Sequence, residues 1–332
     1  MRIFVGIIFS VFLSAASAAD LASETNTQET RTQESSTQEG SAQAWLHKMS
    51  TSLRTLNFDI SFVMLTPPSA VEPYRWRHAI VDGKDMEHLS LLNGPGREIV
   101  RINDQVSYFE PNVPAYTLLS DTINGPVPGI LLKEPLLLES AYDFVLVGRS
   151  RVSGRSTQQV RIISKDKTLY GFNLWLDQLT GLLLKMDMVD EQGKVIEQFQ
   201  ATSLQVSSEP AELFSRIKEA ELPNVLKILS AVDVQHKWQI NWLPVGMLEI
   251  KRDTHRLPVT GQIVDYMLFS DGLIDISIYL QKSENDGGTK DLFRHGSNTF
   301  FSTTRGPLDV TVVGKVPPQT ANLIAQSISL AK

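Results

Sequence analysis

The sequence predicts an α+β fold, mainly antiparallel β, divided into two domains. Apolar and polar residues alternate over many short segments, the period of strands with one dry face. Phe58, Ile60, Phe62 and Met64 form one such set, and Ile274, Ile276, Ile278 and Leu280 another. Asp82-Gly83, Asn103-Asp104, Thr180-Gly181 and Ser270-Asp271-Gly272 separate these runs at hairpin spacing, because Gly and Asp tolerate the positive φ of tight turns. The length of 332 residues exceeds what one core usually fills.

The N-terminus reads as an export signal. Met1-Arg2 is a short positive region, Ile3 to Leu13 is apolar, and Ala16-Ser17-Ala18 is a small-x-small cleavage site. Residues 1–18 are therefore expected to be a signal peptide, with the cut after Ala18 or one residue later. A membrane anchor would need roughly 20 apolar residues, and this run ends sooner. Residues 19–41 repeat Thr-Gln-Glu at five-residue spacing with almost nothing to bury, the composition of a disordered segment. With no cysteine there is no disulfide framework and no lipidated Cys. A net charge of −6 supplies no global basic field for nucleic acid.

From residue 42 the pattern becomes that of a folded domain. Trp45, Met49, Leu53 and Leu56 mark one face of a helix, with Ser41 placed to cap it. The strand from Phe58 ends at Pro67-Pro68. Tyr74, Trp76, His78 and Ile80 alternate in the next, and a two-residue Asp82-Gly83 turn sets His78 opposite Glu87 and Arg77 opposite His88. Ile123 to Leu138, rich in Gly, Pro and Leu, reads as a loop carrying a short buried helix or lid. Strands follow at Tyr142 to Arg151, Gln158 to Ser164, Thr168 to Leu176, Leu182 to Asp190 and Lys194 to Val206. Such sequential hairpins predict one long, strongly curved antiparallel sheet. A helix is expected over Glu209 to Glu221, stopped by Pro223. The first domain is thus placed at 42–221, a linker at 222–234 and a smaller domain at 235–332. That smaller domain opens on a strand at Trp238 to Trp242. Its clearest hairpin joins Val264–Phe269 to Leu273–Leu280, Asn285 to Gly288 reads as a flexible tip, and Asp309 to Val313 is a late strand. Ala321, Ile324, Ala325 and Ile328 predict a closing helix, with Thr320 as its cap.

No catalytic constellation emerges. Gly94-Pro95-Gly96 lacks the third glycine of a dinucleotide loop, and there is no phosphate-binding P-loop, His-Glu-x-x-His or Gly-x-Ser-x-Gly. His78 and His88 lack a third metal ligand and sit beside Arg77, so a cross-strand polar contact is favoured over a metal. The reading is of a non-enzyme without cofactor or metal. Phe58, Phe62, Met64, Trp76, Met86, Tyr108, Phe172, Trp175, Met186 and Met188 spread over successive strands of one sheet. Their pattern fits core packing, and it also fits the lining of an adaptable pocket.

Several motifs resemble a known family. They are Tyr74-Arg-x-Arg-His-Ala, Val106-Ser-Tyr-Phe-Glu-Pro, Trp175-Leu-Asp with Thr180-Gly181, Trp242-Leu-Pro-x-Gly246, Phe269-Ser-Asp-Gly-Leu273, Val310-Thr-Val-Val-Gly314 and Pro317-Pro-Gln-Thr-Ala321. In this order, from about residue 42 to the C-terminus, they resemble the MucB/RseB family, periplasmic regulators of the envelope-stress sigma factor sigma-E. The resemblance implies that the first domain is a half-barrel like the lipoprotein carriers LolA and LolB, covered by helices. Its apolar groove would take lipid or lipopolysaccharide, with Phe58, Phe62, Met64, Trp76, Met86, Tyr108, Leu131, Phe172, Met186 and Met188 as lining candidates. Arg75, Arg77, Arg97, Arg101, Arg149 and Arg151 are rim candidates for phosphates, although surface solubility explains most of them. The resemblance further implies that the protein binds the periplasmic tail of an RseA/MucA-type anti-sigma factor, shields it from regulated proteolysis and is released by lipid. Trp238, Trp242, Tyr266 and Phe269 are the partner-surface candidates, and self-association is left open. A LolA-like carrier is the alternative, but it leaves the second domain unexplained.

Overall fold

The computed structural model describes residues 40–69, 71–227, 238–256, 263–283 and 290–330. The expected signal peptide, nearly all of the 19–41 segment, residues 228–234 of the linker and the Asn285–Gly288 tip lie outside the described residues.

Helix α1 (Ala42–Thr55) begins where the Ser41 hydroxyl accepts the Ala44 N–H at 3.1 Å, and it buries Leu46, Met49 and Leu53. Six strands follow as a meander: β1 (Asn57–Leu65), β2 (Glu72–Val81), β3 (Lys84–Leu91), β4 (Glu98–Ile102), β5 (Gln105–Phe109) and β6 (Tyr116–Leu119). At the β2–β3 turn Asp82 and Gly83 have φ of 50° and 77°, both positive as a two-residue hairpin requires. The resulting register pairs His78 with Glu87 and Arg77 with His88. After residues 120–141, which carry α2 (Gly129–Lys133) and a 3-10 turn at Pro135–Ser140, five more strands run back. They are β7 (Tyr142–Val152), β8 (Arg155–Ser164), β9 (Gly171–Asp177), β10 (Leu183–Val189) and β11 (Val195–Ser207).

All eleven form one open antiparallel sheet in the order β6-β5-β4-β3-β2-β1-β11-β10-β9-β8-β7. That order decides where the core sits. Because β1 pairs with β11, the consecutive strands β6 and β7 lie at opposite edges. The segment 120–141 must therefore cross a whole face of the sheet, and its apolar residues Ile123, Val127, Leu131, Leu132 and Leu138 are buried. With α1 it buries an apolar core on the inner face of the sheet. The β6 edge is covered by the chain itself, since the Leu226 N–H donates to Thr117 O at 2.8 Å.

The outer face receives a smaller cover. The helix expected over Glu209 to Glu221 is only α3 (Glu212–Arg216) and a 3-10 turn at Glu219–Glu221. Ala211, Phe214 and Ile217 recur every three residues, a spacing that drifts about 60° per step around an α-helix. The chain bends at Ile217 instead, and Phe214 packs on Ala79, Met86, Val100 and Ile102.

The second domain pairs β12 (Trp238–Ile240) with the last strand, β19 (Ile328–Leu330). Its six-stranded antiparallel sheet comprises β13 (Leu248–Arg256), β14 (Ile263–Ser270), β15 (Asp275–Lys282), β16 (Lys290–His295), β17 (Asn298–Arg305) and β18 (Leu308–Gly314). The order is β13-β14-β15-β18-β17-β16. Helix α4 (Pro318–Ser327) buries Ala321, Ile324 and Ala325 on it. Pro317, not Thr320, is the cap, because Pro318 presets the first helical φ. Thr320 lies inside the helix, and its hydroxyl donates to Thr168 O of the first domain.

Candidate functional site

The inner face brings together nine of the ten groove candidates. Phe58, Phe62, Met64, Trp76, Tyr108, Leu131, Phe172, Met186 and Met188 are all buried in one cluster. The register explains it: Phe62 and Met64 share their side with Phe199, which pairs with Met186, and Met188 pairs with Phe172. Met86 is the exception. It pairs with Ala79 and belongs to the outer cluster under α3. Trp175 is also on the outer face, where the Lys185 ammonium sits 4.4 Å from its ring centroid.

This face is closed at its centre. Between Phe62, Trp76 and Leu89 of the sheet and Ile123, Pro126, Val127 and Leu132 of the crossover, only about 10 Å³ of space remains. At this seam residues 120–141 lie over the sheet as a lid and leave almost no room between. Two larger cavities flank the seam.

The first, of about 440 Å³, is polar and meets the seam at Trp76 and Leu132. The Trp76 indole N–H donates to Glu87 Oε2 at 3.1 Å, Arg101 Nε donates to Glu87 Oε1 at 2.9 Å, and Arg101 Nη2 donates to Asp85 Oδ1 at 2.6 Å. Burial pushes the Asp85 carboxyl up, but the hydrogen bonds from His78 and Arg101 outweigh it and hold the group below the usual carboxylate value. Arg101 is thus committed to the buried Glu87 and the partly buried Asp85. Arg75 and Arg77 bind Asp59, and Arg97 approaches Glu110 at 3.7 Å. Of the rim arginines, Arg97, Arg149 and Arg151 are exposed, with Arg151 donating to Gly154 O at 2.9 Å.

The second cavity, of about 370 Å³, lies at the junction of the domains. Phe172, Met186, Met188 and Glu197 line it from the sheet, residues 123–129 from the lid, and Leu273, Asp275, Asn298 and Lys315 from the second domain. Glu197 is buried and accepts Ser297 Oγ at 2.7 Å and Lys315 Nζ at 2.8 Å. Nearby, the Tyr142 hydroxyl donates to Asp271 Oδ2 at 2.6 Å, and the Val245 N–H donates to Asp166 Oδ2 at 3.0 Å. Burial raises the Asp271 pKa, and the donors Tyr142, Ile274 N–H and Leu273 N–H offset this only in part. Sequence reasoning missed this junction. Its one visible signal was Gly246 and Gly272 within two of the quoted motifs.

His78 and His88 face opposite sides of the sheet. His78 meets Leu56 O at 2.6 Å and Asp85 at 3.0 Å, whereas His88 meets Arg77 at 3.1 Å. Among the described residues no group of His, Asp or Glu is placed to hold a metal ion. Of the partner-surface candidates, Phe269 is a core residue, 5% exposed. The register accounts for this, because Phe269 pairs with the fully buried Ile276. Trp238, which donates to Asp265 at 2.9 Å, and Trp242 are half-buried, and the Tyr266 ring lies tilted by 43° against Tyr279, with centroids 5.1 Å apart.

A large open sheet with a covered apolar face, joined to a smaller sheet that touches the cover, defines a two-domain, mainly antiparallel α+β protein. Residues 41–226 match the MucB/RseB N-terminal domain and residues 232–329 the MucB/RseB C-terminal domain. The chain belongs to the MucB/RseB family. It is 32% identical over 320 residues to the sigma-E factor regulatory protein RseB of Salmonella typhimurium, covering 96% of this chain and 94% of that one. Among solved structures it is similar to MucB in the MucA/MucB complex of Pseudomonas aeruginosa, with a TM-score of 0.70, 29% identity and coverage of 88% and 99%. To a crystal structure of MucB the TM-score is 0.53, with 27% identity and coverage of 87% and 98%.

Proposed function

We propose that this protein is a periplasmic regulator of a sigma-E-type envelope-stress response. It binds the periplasmic domain of a membrane anti-sigma factor of the RseA/MucA type, shields it from regulated proteolysis, and lets go when a lipid or lipopolysaccharide enters beneath the lid. Residues 42–221 are the sensing unit, 222–234 the linker and 235–332 the main partner-binding unit, which Trp238, Trp242 and Tyr266 serve. The observation that carries the reading is the similarity of both domains together to MucB in its complex with MucA.

The energetics allow lipid control. Each buried methylene contributes about 0.8 kcal/mol, so ten of them gain roughly 8 kcal/mol gross. Opening the lid and ordering the chain take back several kcal/mol, which leaves an affinity on the order of micromolar. A ligand shifts an equilibrium only by its differential affinity, so the lipid must prefer the partner-free form. Phe62, Trp76, Phe172, Met186, Met188 and Leu131 form the centre of this surface, with Phe58, Met64 and Tyr108 around them.

Protease protection tests the reading. The purified anti-sigma periplasmic domain should be cut more slowly when this protein is present in stoichiometric amount, and equal cleavage with and without it would sink the proposal.

A further inference from the structure

Two glycines of the second domain touch the lid and its end. Gly272 has φ +85°, and a Cβ there would stand 2.7 Å from Ile130 Cδ1 in α2. Gly246 has φ +90°, and a Cβ there would stand 2.6 Å from Ala141 Cβ, the last residue of the crossover. Tyr142, the next residue, is 1% exposed and gives its hydroxyl to Asp271, the neighbour of Gly272. The β14–β15 turn and the segment before β13 thus grip the crossover at its middle and at its exit. This accounts for the two glycine motifs, which the lidded face alone leaves unexplained.

We infer that Asp271-Gly272 and Gly246 form a clasp on the lid, so that opening the lid over the inner face and displacing the second domain are one mechanical event. A lid that lifts carries Ile130 away from Gly272 and loosens its exit at Ala141 against Gly246, beside the Tyr142–Asp271 hydrogen bond. A second domain that swings away removes one of the three walls of the junction cavity, leaving the sheet and the lid. The clasp gives the inner face a route to the rest of the molecule through a discrete contact. It concerns the free chain and stands whether or not a lipid is the ligand. The MucB structures differ in how well the whole chain superposes, 0.70 against 0.53.

The test uses a matched pair of glycines. Gly306 also has positive φ, +58°, but a Cβ there meets nothing within 4 Å. Gly272→Ala and Gly306→Ala therefore both place alanine at positive φ, and only the first collides with the lid. The chain has no cysteine, so spin labels at Leu179→Cys and Leu323→Cys, both exposed, report the inter-domain distance without background. Hydrogen exchange reports the lid. Gly272→Ala should raise exchange across residues 120–141 by about tenfold and broaden the distance distribution, while Gly306→Ala should do neither. Ile130→Ala should reverse much of both effects in the Gly272→Ala background. Tyr142→Phe, which carries no backbone strain, should move both readouts together and keeps the test open if Gly272→Ala fails to fold. A variant that moves one readout alone, or a Gly272→Ala chain indistinguishable from Gly306→Ala, overturns the clasp.

Discussion

The two faces of the large sheet use the same residue types to different ends. On the inner face Phe62, Trp76, Phe172, Met186 and Met188 lie under the crossover and the second domain. On the outer face Trp175 is half-buried beneath Lys185, Asp59 binds Arg75 and Arg77, and a small cluster around Met86 is covered by α3. The difference teaches that the covering segment, and not the side chains alone, decides which aromatic and methionine residues become a protected surface.

The largest contrast is expected from the arginines. Arg101→Ala leaves Glu87 and the partly buried Asp85 without their cation, at a cost of about 3–5 kcal/mol. Arg75→Ala on the outer face removes an exposed partner that Arg77 backs up, at a cost of about 0–1 kcal/mol. Urea unfolding of the two variants checks this, and similar losses would erase the distinction between the faces. Next come the aromatics. Phe172→Ala opens a cavity in the inner core at about 3–5 kcal/mol, whereas Trp175→Ala loses a half-exposed stack worth about 1 kcal/mol beyond its area. Thermal melts of both chains decide it.

Proton linkage sharpens the comparison by sign. Burial raises the carboxyls of Asp59, Asp85 and Asp177, but their hydrogen-bonded cationic and polar partners outweigh it and lower all three. Each contributes stability that is present above the unfolded value of about 3.9 and is lost as pH falls through the folded value. Asp271 runs the other way. Its folded pKa is raised, chiefly by burial, so stability falls as pH rises from about 3.9 to the folded value and stays lower above it. Asp271→Asn should therefore gain on the wild type as pH rises through that window, measured by urea midpoints along a pH series. A constant offset between the two would contradict the assignment. The smallest effect is expected from deleting residues 20–40, whose composition offers no apolar surface, and the change should stay within about 0.5 kcal/mol by calorimetry.

Much of the fold was legible in the sequence. The Asp82-Gly83 turn fixed the pairing of His78 with Glu87, and the Ile123–Leu138 composition announced a loop with a short buried helix. What period two cannot reveal is which side gets covered, because cover depends on the distant pairing of β1 with β11 that sends the crossover over one face. Met86 lies on the opposite side from the other groove candidates for that reason, whereas Phe269 is buried in the separate second sheet, where it pairs with Ile276. The junction was legible only as glycines in motifs, since a close approach between domains leaves no periodic signal.

The most direct test of the account is lipid-driven release. The labelled anti-sigma periplasmic domain, bound to this protein, is titrated with lipopolysaccharide while fluorescence anisotropy is followed. The account predicts that anisotropy falls toward the free value with the wild type and that a folded Met186→Asp variant binds the partner with little change yet resists release. If lipopolysaccharide leaves the wild-type complex intact, or releases the Met186→Asp complex equally well, the inner face is a core and not a sensing surface.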